Sequence, residues 1–351
     1  MVEDKMYAAV MHDFGGPEVI GWEMVPTPRP GPHDVLVQVH AVTVNRTLDI
    51  KVRQGAYAKR PVLPHVLGVD PSGVVVETGA EVSDFKPGDP VAVSSRIRYE
   101  PEDVPRMLGV DLWGGYAEYV CVPAASAFPL PAGLDFATAS IAIRHVPQAF
   151  HMLETKAKLQ PGEWVLVMGA SGGLGSASVQ VARHLGARVI VAAGADERVS
   201  AAMALGGEFG INYRSQDLHA EVMRITGNAG VDVVCENISD PVLFPAAFKS
   251  LRRFGRLVSV GTHGGGIVPL DVAFLYLNQL TIMGSTGQTP DDIRKGIELA
   301  ASGKFRPLIG CVLPLYQVRE GHVLADGNDV LGKVVLDPRA RPNGAAQSLR
   351  S

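Results

Sequence analysis

Trp164-Val165-Leu166-Val167-Met168-Gly169-Ala170-Ser171-Gly172-Gly173-Leu174-Gly175 is an apolar run, suited to a buried strand, that breaks at once into a glycine turn. Beyond the glycines, Leu174, Ala177, Val181 and Leu185 recur at three- and four-residue spacing, the mark of one helix face. Val189-Ile190-Val191-Ala192-Ala193 follows, so the unit closes as strand, helix, strand and should be parallel and right-handed. Glycines at 169, 172 and 175 in that setting make a dinucleotide fingerprint. Gly172 and Gly173 are expected to let the backbone approach a pyrophosphate that a Cβ would hold off, while the helix N-terminus offers unpaired N–H groups and a partial positive charge. Gly175 should let helix and strand pack closely.

The rest of the chain is large enough to give this unit a companion. At 351 residues it suits two domains of roughly 150 residues each. A hydrophobic content of 46% indicates a globular, well-buried chain. Net charge −4 with interspersed signs leaves no basic face, which argues against nucleic acid as a partner. Glu3, Asp4 and Lys5 precede no apolar block, and no apolar run approaches the roughly 18 residues of a membrane span, so the expected location is the cytoplasm. Cys121, Cys235 and Cys311 are odd in number and far apart, which builds neither a disulfide framework nor a four-cysteine zinc site.

From Met6 to about Leu130 the pattern is β-rich and irregular, with strand candidates at Val35–Val39, Gly73–Val76 and Val91–Val93. Seventeen of the 25 prolines lie at or before Pro161, too many for a doubly wound sheet, so this part reads as a mostly antiparallel, partly barrel-like domain. Arg96 to Leu112 is polar and proline-containing and reads as a surface excursion over a cleft. After Leu130, helices and strands alternate through Phe209–Ile211, Val231–Cys235, Arg256–Val260 and Leu280–Met283, which makes an α/β, doubly wound parallel sheet of six strands. Asp291 to Ser302 should be a helix returning the chain to the first domain, Val334–Leu336 a last strand there, and the tail after Pro338 loosely attached.

Several motifs converge on one family: Asn45 with Asp49, Gly55-Ala56-Tyr57, Leu67-Gly68-Val69-Asp70-Pro71-Ser72-Gly73, Lys86-Pro87-Gly88-Asp89, Gly115-Tyr116-Ala117-Glu118-Tyr119, the glycine loop, Ile211-Asn212-Tyr213-Arg214 and Gly332-Lys333-Val334-Val335. Together they resemble the medium-chain dehydrogenase/reductase superfamily, and within it the zinc-free quinone oxidoreductase branch. The resemblance implies a GroES-like catalytic domain from residues 1–132 and 288–351, an NADP-binding Rossmann domain from 133–287, and an active site in the cleft. Where zinc relatives hold their metal, this sequence has Val44-Asn45-Arg46-Thr47, Gly68-Val69-Asp70 and Arg144, which implies no metal. One residue is inserted between Asn45 and Asp49, the 96–112 connection is long, and Arg144-His145 replaces small or apolar residues.

The implied chemistry is NADPH-dependent hydride transfer to a quinone or an α,β-unsaturated carbonyl substrate, with Tyr57, Asn45 and Arg144 as candidate catalytic residues. Tyr57 is the hydroxyl donor or else a packing tyrosine with a satisfied hydroxyl, and Asn45 is the amide that orients substrate or nicotinamide, or else forms an Asx-type turn. Arg144 either does part of zinc's electrostatic work or forms a buried ion pair with Asp70. The resemblance assigns the cofactor to the loop residues Ala170, Ser171, Gly172, Gly173, Leu174 and Gly175. It adds the strand-end residues Gly194, Asn237, Gly261, Thr262 and Ser285, with Lys333 reaching in from the C-terminal segment. NADPH is expected over NADH because Ala193-Gly194 puts no acid where a ribose 2′-hydroxyl would need one, and Arg198 and Tyr213 match residues that hold a 2′-phosphate. An enoyl-thioester reductase shares the fold and the tyrosine. A non-catalytic NADPH-binding structural or RNA-binding protein is the alternative of another class. Leu275–Leu277 and Leu280–Met283 suggest an apolar edge strand and hence a homodimer.

Overall fold

The computed structural model describes residues 2–99, 104–327 and 330–342. They form two compact units, one from the chain up to Arg144 together with the chain from Ile309, the other from His145–Leu308. The sequence rhythm puts these boundaries at 132/133 and 287/288. The contacts put the first inside the helix Phe136–Phe150, which opens in the β-rich unit and closes in the other. They keep the helix Pro290–Ala301 with the parallel sheet, where Asp292 meets His151 at 3.2 Å and Gly296 lies close against Pro147.

The first unit is organised on the long strand Asp34–Val44, whose residues are nearly all buried. Ser72–Thr78 pairs antiparallel along one of its edges. Tyr119–Pro123 pairs with its first half, and Lys333–Asp337 with its last residues, Val334 lying opposite Val44. Ile309–Pro314 adds to the C-terminal strand as the one parallel pair of this unit among the described residues. A second, three-stranded sheet of Ile20–Pro26, Lys5–Met11 and His65–Val66 closes over the same core. Two expectations are corrected here. The 96–112 excursion is anchored: Ile97, Leu108 and Val110 are buried in the core, and Arg96–Ile97 pairs with Arg106–Met107. The sequence hid this because Ile97 stands singly between two arginines and Leu108 and Val110 belong to a run too short and glycine-broken to read as an element. The chain after Pro338 is also attached as far as it is described, since Arg339 pairs with Asp337 at 2.8 Å and Arg341 pairs with Glu118 and lies over the Tyr7 ring. The rest of that tail, 343–351, lies outside the described residues.

The second unit is a six-stranded, wholly parallel sheet in the order Phe209–Asn212, Arg188–Ala193, Trp164–Met168, Val231–Glu236, Leu251–Ser259, Thr281–Gly284. The order reverses between Trp164–Met168 and Val231–Glu236, the place where ligands bind beyond the strand ends in such sheets. Leu251–Ser259 starts earlier than its apolar pattern, because Arg252, Arg253 and Phe254 are exposed and Phe254 takes a positive φ of 65°. Leu275–Leu277, expected as strand, belongs to the short helix Val272–Leu277, capped by the Asp271 carboxylate accepting from Phe274 N–H. Among the described residues no helix is long and apolar enough to cross a membrane.

Candidate functional site

In the first unit, strand register builds a buried polar cluster. Val334 lies opposite Val44, so Lys333 and Asn45 are neighbours across the sheet. The Lys333 ammonium donates to Asn45 Oδ1 at 2.7 Å and to the Val44 carbonyl at 3.0 Å. The same amide donates through Nδ2 to Asp70 Oδ2 at 3.0 Å and Thr43 Oγ1 at 3.2 Å. Asp70 is filled further by the Thr43 N–H at 2.9 Å and hydroxyl at 2.6 Å. Asp49, in the first turn of the helix Asp49–Arg53, accepts from Asn45 N–H at 2.7 Å and from the Tyr116 hydroxyl at 3.3 Å. Its other oxygen, Oδ1, is buried with no hydrogen-bond partner.

These placements decide between the readings left open for Asn45 and Arg144. Asn45 is no Asx turn, since its amide bonds the side chains of Thr43, Asp70 and Lys333 rather than its own following backbone. Arg144 makes no ion pair with Asp70 among the described residues, because Thr43 and Asn45 already occupy that carboxylate. It acts at longer range, favouring the charged form of Asp49 and disfavouring that of Lys333. Burial, reinforced by Asp70, pushes the Asp49 carboxyl up to about 6. Burial pulls the Lys333 ammonium down to about 8 against the attraction of Asp70 and Asp49. The Tyr116 hydroxyl stands well above its ordinary value through burial and the facing Asp49. Tyr57 is not joined to this network: its ring packs against the core of the unit, and none of the cluster's hydrogen bonds reaches it. Among the described residues no group of three His, Cys, Asp or Glu side chains is placed to hold a metal ion.

In the second unit, Trp164–Met168 delivers the chain to Gly169 at φ +63°, and the helix Gly173–His184 begins four residues on, its N-cap Gly172 offering no side-chain cap. A Cβ on Gly175 would lie 2.1 Å from the Gly169 carbonyl oxygen, so only glycine lets helix and strand meet as they do. A Cβ on Gly173 would stand 2.7 Å from His145 Nε2, so the protein side adds a constraint at this position. Ala170 and Ser171 are buried between these glycines, and Leu174 occupies the first helical turn.

Around the loop the ends of neighbouring strands supply the remaining expected residues. Asn237 follows Val231–Glu236 directly, close against Gly169 and under Gly261. Glu236, buried and raised by that burial, accepts from the N–H groups of Ile238 and Ser239 and so fixes the turn carrying Asn237. Thr262 follows Gly261, and the Ser285 hydroxyl accepts from Gln148 Nε2 at 3.1 Å. Gly194 leaves room for the Tyr213 hydroxyl, 3.0 Å from where its Cβ would be. Burial raises the Tyr213 hydroxyl above its ordinary value, against the attraction of Arg214 and Arg198, so two guanidinium groups attend this corner. Asp196, at the start of the next helix, is engaged by Asn212 Nδ2 at 2.7 Å. Sequence reasoning missed Thr43, Gln148 and Glu236, and had Tyr116 and Arg214 only as members of motifs, with no role at the site. Only Glu236 carries a local signal, an acid just before Asn-x-Ser whose carboxylate can accept from the turn's own N–H groups.

Comparison with known proteins agrees with this division. Residues 31–132 match the alcohol dehydrogenase GroES-like domain and residues 173–302 the zinc-binding dehydrogenase domain. The chain is 31% identical to the quinone oxidoreductase of Homo sapiens, over 94% of this chain and 97% of that one. It is 32% identical to an NAD-dependent alcohol dehydrogenase of Sulfolobus acidocaldarius, over 94% and 99%. Among solved structures, an NAD-dependent alcohol dehydrogenase superposes with a TM-score of 0.88 at 36% identity, covering 95% of this chain and 99% of that one. A Pseudomonas syringae quinone oxidoreductase superposes at 0.80 and 25%, covering 95% and 100%. With both domain families matched and relatives aligned over nearly its whole length, the chain belongs to the medium-chain dehydrogenase/reductase superfamily of NAD(P)-dependent oxidoreductases.

Proposed function

We propose that this chain is a zinc-independent, NADPH-dependent reductase of quinones or α,β-unsaturated carbonyl compounds. The observation that carries the reading is the donor chemistry of the Asn45 cluster. An amide, an ammonium and a guanidinium stand with one carboxylate that is fully hydrogen-bonded and a second buried against a backbone N–H, a set that does not fit zinc. Such a cluster suits substrates whose reduction builds negative charge on oxygen.

The second unit fits a dinucleotide. The uncapped helix N-terminus leaves backbone N–H groups for a pyrophosphate, and buried Asn237 Nδ2 has no hydrogen-bond partner. A nicotinamide bound there supplies the hydride. Ala170 to Gly175 would hold the pyrophosphate, and Gly194, Tyr213, Arg198 and Arg214 suit a 2′-phosphate better than a bare ribose, since no carboxylate lies at the end of Arg188–Ala193.

The test is NAD(P)H oxidation over a panel of quinones, enones, enals and crotonyl-CoA, alongside alcohol oxidation with and without added zinc. Turnover of quinones or enones with NADPH preferred, unchanged by chelator, is the expected result. Zinc-stimulated alcohol oxidation with NAD would overturn the reading in favour of an alcohol dehydrogenase.

A further inference from the structure

We propose that Gln148 and Ser285 together recognise the carboxamide of a bound nicotinamide and make the site selective for it over the corresponding carboxylate. The inference rests on the dinucleotide reading above and names the part of the cofactor that this pair reads. Gln148, Ser285 and the glycine loop all belong to the unit His145–Leu308, so the pair is built without help from the other unit.

Both side chains are fixed by the elements that carry them. Ser285 directly follows Thr281–Gly284, and its N–H donates to the Ser259 carbonyl at 2.9 Å, which carries the parallel pairing one residue beyond the strand. Gln148 stands in the last turn of Phe136–Phe150. That end of the helix is held against Pro290–Ala301, where Gly296 lies close against Pro147 and His151, just beyond the helix, meets Asp292 at 3.2 Å. Held in this way, Gln148 Nε2 donates to Ser285 Oγ at 3.1 Å. Ser285 is 7% exposed and Gln148 is half-buried.

The groups that the pair leaves unused define its ligand. Ser285 accepts from Gln148, so its own hydroxyl hydrogen remains to be donated. Gln148 Oε1 accepts no hydrogen bond among the described residues and, unlike Asn237 Nδ2, is not sealed from solvent. One donor and one acceptor side by side complement a primary carboxamide, which carries a C=O and an N–H on one carbon. Position selects which nucleotide brings it. A dinucleotide straddling the reversal of strand order lays one nucleotide over each half of the sheet. The Gly194 and Tyr213 corner suits the adenosine, which leaves the nicotinamide over the half that ends at Ser285. A carboxylate in the same place would set an anionic oxygen against Gln148 Oε1. Turning the glutamine amide over would spend the serine hydrogen on Oε1 and leave the carboxylate one N–H, whereas the carboxamide keeps two bonds.

Calorimetric titration of the full chain with NADP⁺ and NAD⁺, each against its nicotinic-acid counterpart, tests the assignment. Adenosine 2′,5′-bisphosphate and AMP probe the other nucleotide's site alone. Wild type should bind the carboxamide form of its preferred dinucleotide about tenfold or more tightly than the carboxylate form. Gln148→Met should lower affinity for the carboxamide form roughly tenfold and remove most of the preference, with adenosine nucleotide binding unchanged. Gln148→Lys replaces the acceptor by a donor and should reverse the preference, which a merely structural loss would not. A wild type without the preference overturns the inference, as does a folded Gln148→Met protein that keeps it. A wild type that binds neither dinucleotide overturns it together with the cofactor reading. If the protein takes NAD⁺ in place of NADP⁺, or reduces neither quinones nor enones, while the Gln148-dependent preference holds, those parts of the proposed function fail and the carboxamide site stands.

Discussion

Asp49 and Lys333 are both held away from their ordinary ionisation, and the directions have opposite consequences for stability. The Asp49 value rises from 3.8 to about 6, so between those limits the folded protein keeps a proton that the unfolded chain has released. Its contribution is complete below about pH 4 and is lost as pH rises through 6, on the order of 3 kcal/mol. Lys333 falls from 10.5 to about 8, so its contribution is complete above the ordinary value and is lost as pH falls through 8. Urea midpoints measured from pH 4 to 6 on wild type and Asp49→Asn should show the downward slope only in wild type. Parallel slopes would mean that Asp49 ionises normally. Arg144 gives a second residue-level prediction. Because Asp70 has other partners, Arg144→Met should cost no more than about 1 kcal/mol, well short of the 3–5 expected on breaking a buried pair. The same change should raise the ionisation points of both Asp49 and Lys333, followed by NMR titration, and an unchanged pair would remove Arg144 from the cluster's electrostatics.

Among the elements, the glycine loop and the edge strand Thr281–Gly284 make the sharpest predictions. Gly175→Ala would force a methyl to within 2.1 Å of a backbone oxygen, so the loop or the helix must move. Loss of NADPH binding with a destabilisation of about 1–3 kcal/mol is expected, by calorimetry and denaturation. Thr281–Gly284 has one paired edge and one open edge, with Ile282 39% exposed and Tyr276 and Leu277, just before it, each 65% exposed. We propose that a second copy pairs there about a two-fold axis. Light scattering should give about twice 37.2 kDa, and Ile282→Asp should shift it toward the single-chain mass. A wild-type mass near 37.2 kDa at micromolar concentration would remove the proposal.

Across the whole molecule, what could be read in advance followed the sequence distance over which each feature is made. The loop from Gly169 to Gly175 and the strands beside it are local patterns, so composition and spacing revealed both the parallel sheet and its ligand end. The polar cluster is not local. Lys333 meets Asn45 across 288 residues, through a register that no periodicity encodes, so this pairing is not legible in the sequence. That His145 also stands over Gly173 is not legible either, because what faces a glycine is set by the fold. Leu275–Leu277 went wrong through an ambiguity of period, three apolar residues being too few to tell strand from helix.

The C-terminal strand of the first unit carries one more consequence. Asp34–Val44 leaves the ribosome well before Lys333–Asp337, and its last residues stay unpaired on one side until that strand arrives. At roughly 5–20 residues per second, that gap spans tens of seconds of synthesis. During this interval the His145–Leu308 segment has emerged in full, while the sheet that began first is still open. The order of birth and the order of completion are thus reversed, and Asn45 meets its ammonium partner only after the whole of the parallel-sheet unit has been made.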